Sequence, residues 1–434
     1  MSWILRHRLR TFLQSSLCAV PIACMLAAML VAPVVRAIDD RTRWALLDFG
    51  IEGSRVVVGA LASSLLTFIV FAFSIILLAV QIASGQLSPR IIARVLESRL
   101  TKLTLGVFVF SFTYTLAALG RIEDRVPQLP VLVAVLSSLL SIALFLYFIQ
   151  KAGQSFRPIM ILTGVAGDTR AVIQALYPAP FSHEVGQELP PDLSSSPPRT
   201  ITHSGRSGVV LAFDAIGLVE IARSVNCTIE LVPEVGDFLA TGEDMFRLYG
   251  SGRGAAPVDS LRRCVALGPE RALEKDPAFG FRILVDIASK ALSPAINDPT
   301  TGALAVDQIY HLLHLLGQRQ LESGIVRDPT GPGSPGHVRL VFPTPSWGDF
   351  VSLAVTEIRT YGGPNPQVTR RLQAMFEQLV QVLPAERAVT LHKEMALLRR
   401  TIDRSFADPE DRILSGTSDS QGFGGHRPGA WRAV

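Results

Sequence analysis

The chain has 434 residues, 48% of them apolar and 18% charged, with 41 Lys and Arg against 37 Asp and Glu for a formal charge of +4. So small an excess argues against a basic nucleic-acid-binding surface, and four cysteines without a C-x-x-C pair or a Cys/His cluster argue against a disulfide scaffold or structural zinc. The apolar residues crowd into the first third, which predicts a membrane part, 1–155, joined to a water-exposed part.

Charge-free length is the primary signal, because a charge at the bilayer centre costs about 2.5–3.5 kcal/mol. Such stretches run from Thr11 to Val35, Val56 to Pro89, Leu103 to Gly120 and Val126 to Gln150. Each reaches the roughly 17–25 residues a crossing needs, predicting about four transmembrane helices near 14–36, 56–83, 103–120 and 127–150. The first run follows a basic MSWILRHRLR segment, but its length and the lack of an A-x-A site favour a retained helix over a cleaved signal. The second would extend roughly 42 Å at about 1.5 Å per residue, so it must tilt or emerge from the membrane. Gln81, Ser84 and Gln86 place polar groups at its edge, a possible pore mouth or an ordinary interfacial elbow. Beyond them Ser88-Pro89 reads as the start of an amphipathic surface helix, with Ile91, Ile92, Val95, Leu96 and Leu100 against Arg90, Arg94, Glu97 and Arg99. The Lys and Arg bias beside the spans favours both termini in the cytoplasm.

After the last span, 156–177 reads as a connecting helix and the Pro- and Ser-rich stretch 178–199 as a linker. Residues 200–250 alternate like short strands and predict a small β-rich, barrel-like module. Its V-x-x-V-G-D-F-L-x-x-G spacing resembles a biotinyl/lipoyl-type hairpin in shape only, because the turn has no Lys for a prosthetic group. After the connector SGRGAAP, a helical domain follows over 259–410, with ESGIVRDPTGPGSPGHVR as a loop between helix pairs and 411–434 as a flexible tail.

DIASKALSPAINDPTTG is more specified than packing alone requires. Pro294 ends one helix and Asn297-Asp298-Pro299 starts the next, gathering Asp286, Ser293, Asn297, Asp298, Thr300 and Thr301 at a corner that could be a ligand site or a rigid capped turn. His311 and His314 stand one helical turn apart without a third ligand nearby, and Ser204 to Gly208 lacks the P-loop spacing and Lys. No nucleophile elbow, H-E-x-x-H or paired-carboxylate motif points to an enzyme, and no cofactor or metal is implied.

The segments QIASGQLSPRI, TLGVFVFSFTYTL, SGVV, VGDFLATG and above all DIASKALSPAINDPTT resemble the bacterial predicted membrane protein family built on domain of unknown function 2254. The likeness runs from about Thr42 to Arg404, with Ala295 where the family often has Gly. It implies a bacterial inner-membrane protein with a cytoplasmic part and supplies no reaction, ligand or catalytic residue. The leading expectation is thus a homo-oligomeric channel or transport-type protein in the lipid bilayer, with a cytoplasmic gating or sensing domain for an unidentified ion or small ligand. The alternative is a membrane-anchored scaffold or signalling protein.

Overall fold

The computed structural model describes residues 18–42, 50–86, 99–122, 126–155, 157–182, 197–328 and 336–423. The chain divides into two compact units, Met1–Met160 and Ile161–Val434.

The first unit contains α1 (Ala19–Thr42), α2 (Ile51–Gln86), α3 (Arg99–Leu119) and α4 (Gln128–Ser155). The shortest, α3, packs against the other three and is the most buried. It alternates bulky Leu105 and Phe108 with small residues, and at Gly106 an added Cβ would stand 2.9 Å from Cys24 Sγ, so α1 sits where only glycine leaves room. Phe68, Phe108 and Phe145 join α2, α3 and α4, with ring centroids 5.1–6.3 Å apart. The outward faces are apolar: Leu30, Leu77 and Leu146 are each more than three-fifths exposed. Such faces would be a contiguous apolar patch in water and are the ordinary exterior of a helix in lipid.

Among the described residues five helices, not about four, are long and apolar enough to cross a membrane. The additional one is α5 (Pro158–Leu176), the expected connecting helix. Its only charges, Asp168 and Arg170, lie two residues apart, so the apolar composition of the rest is undiluted. It also carries a buried stripe, Ile161, Leu162, Val165, Ala166, Thr169 and Ile173. That stripe serves the second unit, where Thr169 packs against Gly280 so closely that no Cβ fits there. The expected surface helix near 88–100 falls largely outside the described residues, as do the starts of the first span and most of the linker.

In the second unit, β1 (Arg199–Thr202), β2 (Gly208–Phe213), α6 (Ala215–Ser224), β3 (Thr228–Leu231), β4 (Phe238–Leu239), β5 (Asp244–Tyr249), α7 (Val258–Arg263) and β6 (Val265–Gly268) come first. Then follow α8 (Pro277–Ala291), α9 (Pro299–Gly317), β7 (Ile325–Arg327), β8 (Val338–Val341), α10 (Trp347–Gly362), α11 (Pro366–Val382), α12 (Ala385–Ser405) and α13 (Pro409–Gly416).

The strands make two open sheets, β1-β5-β3-β8-β7 and β4-β2-β6, around one core that includes Ile201, Val210, Leu218, Phe246, Leu261 and Leu340. Three sequence expectations change here. The β-rich region does not stop at 250, because β6, β7 and β8 complete its sheets from inside the supposed helical domain. The supposed loop between helix pairs is the β7–β8 hairpin, whose Leu340 is fully buried and whose β8 pairs in parallel with β3. Finally, 411–423 is not a loose tail: α13 packs on α11 and α12, and Ser415 is fully buried. The helices form a second layer in which α8 packs on α9 and α10, and α11 on α9 and α12, with Phe281 and Phe350 at 5.6 Å in its core.

Candidate functional site

The α8–α9 corner is built by capping. Asp298 is the N-cap of α9: its carboxylate accepts from Thr301 N at 3.0 Å and from Thr301 Oγ1 at 2.5 Å, while its own N–H donates to Ala291 O at 2.7 Å. Ser293 Oγ donates to Lys290 O, and Ser293 O accepts from the N–H groups of Ile296 and Asn297. Asn297 has φ +49, one of two non-glycine residues in the left-handed region among the described residues. Ser293, Asn297, Asp298 and Thr301 are therefore brought together, and backbone groups take up much of their bonding capacity. Thr300 and the Asn297 side chain are exposed.

Asp286 belongs to a different cluster. It accepts from Arg282 Nε at 2.7 Å, and the same guanidinium donates to both Glu357 oxygens at 2.5 and 2.6 Å, joining α8 to α10. The Arg282 bonds hold the Glu357 carboxyl below its ordinary value, and the Glu357 and Asp286 carboxylates push Arg282 up. Elsewhere in this unit carboxyls are shifted the other way. Burial raises Asp276, Glu234 and Glu322, although Arg271 stands 3.0 Å from Asp276 and Lys275 acts on Glu322. Asp276 also caps α8 by accepting from Phe279 N.

No group of three or more His, Cys, Asp or Glu suited to a metal occurs among the described residues. His314 Nε2 lies 3.3 Å from Gln318 Nε2, and Tyr310 packs beside both histidines. The Ser204 to Gly208 loop is pinned locally: Thr241 Oγ1 donates to Gly205 O and His203 Nε2 lies 3.0 Å from Arg206 O.

In the first unit Gln81, Ser84 and Gln86 occupy the last turns of α2, and Gln81 is exposed. The polar groups buried inside the helices are others. Ser141 Oγ donates to Ser111 Oγ at 2.9 Å, Ser111 Oγ donates to Ser137 O at 3.1 Å, and Thr115 Oγ1 donates to Ser111 O at 2.6 Å, forming a hydroxyl seam between α3 and α4. At one end of the bundle Asp39, 1% exposed, accepts from Leu129 N at 2.9 Å in the first turn of α4, and Arg55 donates twice to Ile122 O. The sequence reading missed Asp39 because it lies just past a charge-free run, among flanking charges. Its separation from Asp40 by burial cannot be read from order alone.

Outward-facing apolar helices over a hydroxyl-bonded interior define a multi-pass membrane protein. The chain belongs to the predicted membrane protein family DUF2254, whose pattern it matches over residues 14–378. Uncharacterized proteins of Mycobacterium bovis and Mycobacterium tuberculosis (strain H37Rv) are each 29% identical to it over 377 residues, covering 83% of this chain and 70% of theirs. No solved structure matches.

Proposed function

We propose that this protein is a homo-oligomeric, transport-type protein of a bacterial inner membrane that passes an ion or small solute, its second unit lying in the cytoplasm as a gate or sensor. The observation that carries this reading is the outward face of α2. Ser63, Ser64, Thr67 and Ser74 are exposed there, and each hydroxyl donates to the carbonyl four residues back at 2.8–3.1 Å. With Gly59 and Ala60 they make a low-relief, polarisable face on an otherwise apolar helix, suited to close packing against α2 of another copy, with Gln81 toward its end. A few helices per chain are too few to enclose a solute path without such an assembly. The basic residues beside the helices support the cytoplasmic placement of the second unit.

Purified protein in liposomes tests the reading: ion or solute flux that Ser63→Leu with Thr67→Leu abolishes, in a protein that migrates as an oligomer, is the expected result. A folded monomer without flux under any voltage, tension or pH overturns it.

A scaffold or signalling role is favoured instead by one feature, the exposed Asn297 held at φ +49 beside Asp298. It requires a partner or small ligand that the full chain binds and that Asn297→Ala loses without a drop in melting temperature.

A further inference from the structure

The outward stripe of α2 has a definite chemical sign. At about 100° per residue, Glu52, Ser63, Thr67, Ser74 and Gln81 fall within about 60° of one another, all exposed, with Val56 and Val70 between them. Glu52 and Gln81 stand roughly 44 Å apart at about 1.5 Å per residue, more than a roughly 30 Å hydrocarbon layer. They mark the two ends of the stripe, and the hydroxyls lie inside.

A hydroxyl has one proton to donate, and here each is taken by the helix itself: Ser63 Oγ donates to Gly59 O, Thr67 Oγ1 to Ser63 O and Ser74 Oγ to Val70 O. What these side chains turn outward is oxygen lone pairs without donors, a surface that can replace water around a cation and offers nothing to an anion. Gln81, with an amide, can serve either sign. The charges agree. Beyond Arg55, α2 has no Lys or Arg, and Arg55 is committed to Ile122 O by two bonds at 3.0 and 2.7 Å. Its Nη1 meets Glu52 only at 3.7 Å, and the Glu52 side chain is 87% exposed, a weak pair that leaves the carboxylate accessible.

We infer that the path lined by α2 of neighbouring copies selects monovalent cations over anions, an assignment that rests on the transport reading of this face. Glu52 gathers cations at one mouth, and the Ser63, Thr67 and Ser74 oxygens ligate them in passage. The site is incomplete in one chain, because a single stripe supplies oxygens on one side only and a cation stripped of water needs them on several.

The test is the reversal potential of the full chain reconstituted in a planar bilayer under a potassium chloride gradient. The expected value has the sign of the potassium equilibrium potential. Ser63→Ala with Thr67→Val removes two acceptors at little change in volume and should move it toward zero. Glu52→Gln should do the same, and Thr67→Ser should leave it in place. Ser64 makes the same bond to the carbonyl four residues back, at 2.8 Å, but lies about 60° beyond the stripe, so Ser64→Ala should not shift it. An equal shift from Ser64→Ala would mean that the hydroxyls act only by bracing the helix, and overturns the inference. Reversal at zero or with the sign of chloride, or solute flux without current, overturns the cation assignment and leaves the transport reading standing; absence of any flux overturns both. Glu52 is exposed, so its variant keeps the test decisive if the double substitution fails to fold.

Discussion

Glu394 shows how single side chains set the response of the second unit to pH. It lies on α12 with only 8% of its side chain exposed, 3.8 Å from Arg359, and burial raises its carboxyl even though Arg359 and Lys393 oppose the shift. A raised carboxyl favours the protonated folded state, so its contribution is complete below the ordinary value of 4.5 and is lost as pH rises through the folded value. Asp276, Glu234 and Glu322 act in the same direction, and Glu357, held low by Arg282, acts in the opposite one. The melting temperature of the full chain should therefore decline as pH is raised above about 4.5, and Glu394→Gln should flatten the decline; a melting series at fixed ionic strength measures both. Removing the Glu357 carboxylate should do less. Its side chain is 40% exposed, so Glu357→Ala should cost no more than about 1 kcal/mol in a denaturant titration. Loss of the Asp298 cap by Asp298→Ala should cost roughly 0.5–2 kcal/mol by the same titration, the usual worth of an N-cap.

At the scale of elements, the contact of α5 with α8 is decisive because Gly280 admits no side chain against Thr169. Gly280→Ala should destabilise the protein by roughly 1–3 kcal/mol, and Thr169→Ala in the same chain should restore only part of the loss, because the Cβ that remains at 169 would still stand 2.8 Å from the added methyl, as a double-mutant cycle by thermal melting would show. The sequence makes some elements legible and hides others for physical reasons. The apolar runs of α2 and α4 are readable because one charge would be intolerable in them, and α9 because Asp298-Pro299 marks its start. The β7–β8 hairpin is hidden in the sequence because its strands are three and four residues long and flank a Gly- and Pro-rich stretch, leaving too few positions for alternation to register. The role of α5 was half legible: its composition identifies a helix, but its partner, Gly280, lies more than a hundred residues away. Capping chemistry marks the corner residues in the sequence, but nearness in sequence places Asp286 with them, whereas its partner Arg282 is shared with Glu357 of α10, far along the chain.

On the scale of the whole molecule, the carboxy-terminal stretch is an integral brace. Arg370 Nε donates to Thr417 O at 3.2 Å, Asp419 N donates to Arg370 O, and Gln367 Nε2 donates to Gly422 O at 2.5 Å, so 417–422 lie along α11 over two nearly inaccessible arginines. Truncation after Phe406 should lower the melting temperature and open trypsin cleavage after Arg370 and Arg371, detectable by mass spectrometry of the fragments. Intact resistance in the truncated chain would show that the brace is dispensable. The parallel pairing of β3 with β8 carries a different consequence. Thr228 Oγ1 reaches Val338 O across 110 positions of chain, with α8 and α9 lying between. On a ribosome, α1 to α4 leave first and can be inserted into the membrane while the larger sheet still lacks its inner strand β8. Until residue 341 emerges, one edge of β3 stays open beside a bilayer already occupied by the same chain, and the nascent protein needs protection from pairing with its neighbours for that interval.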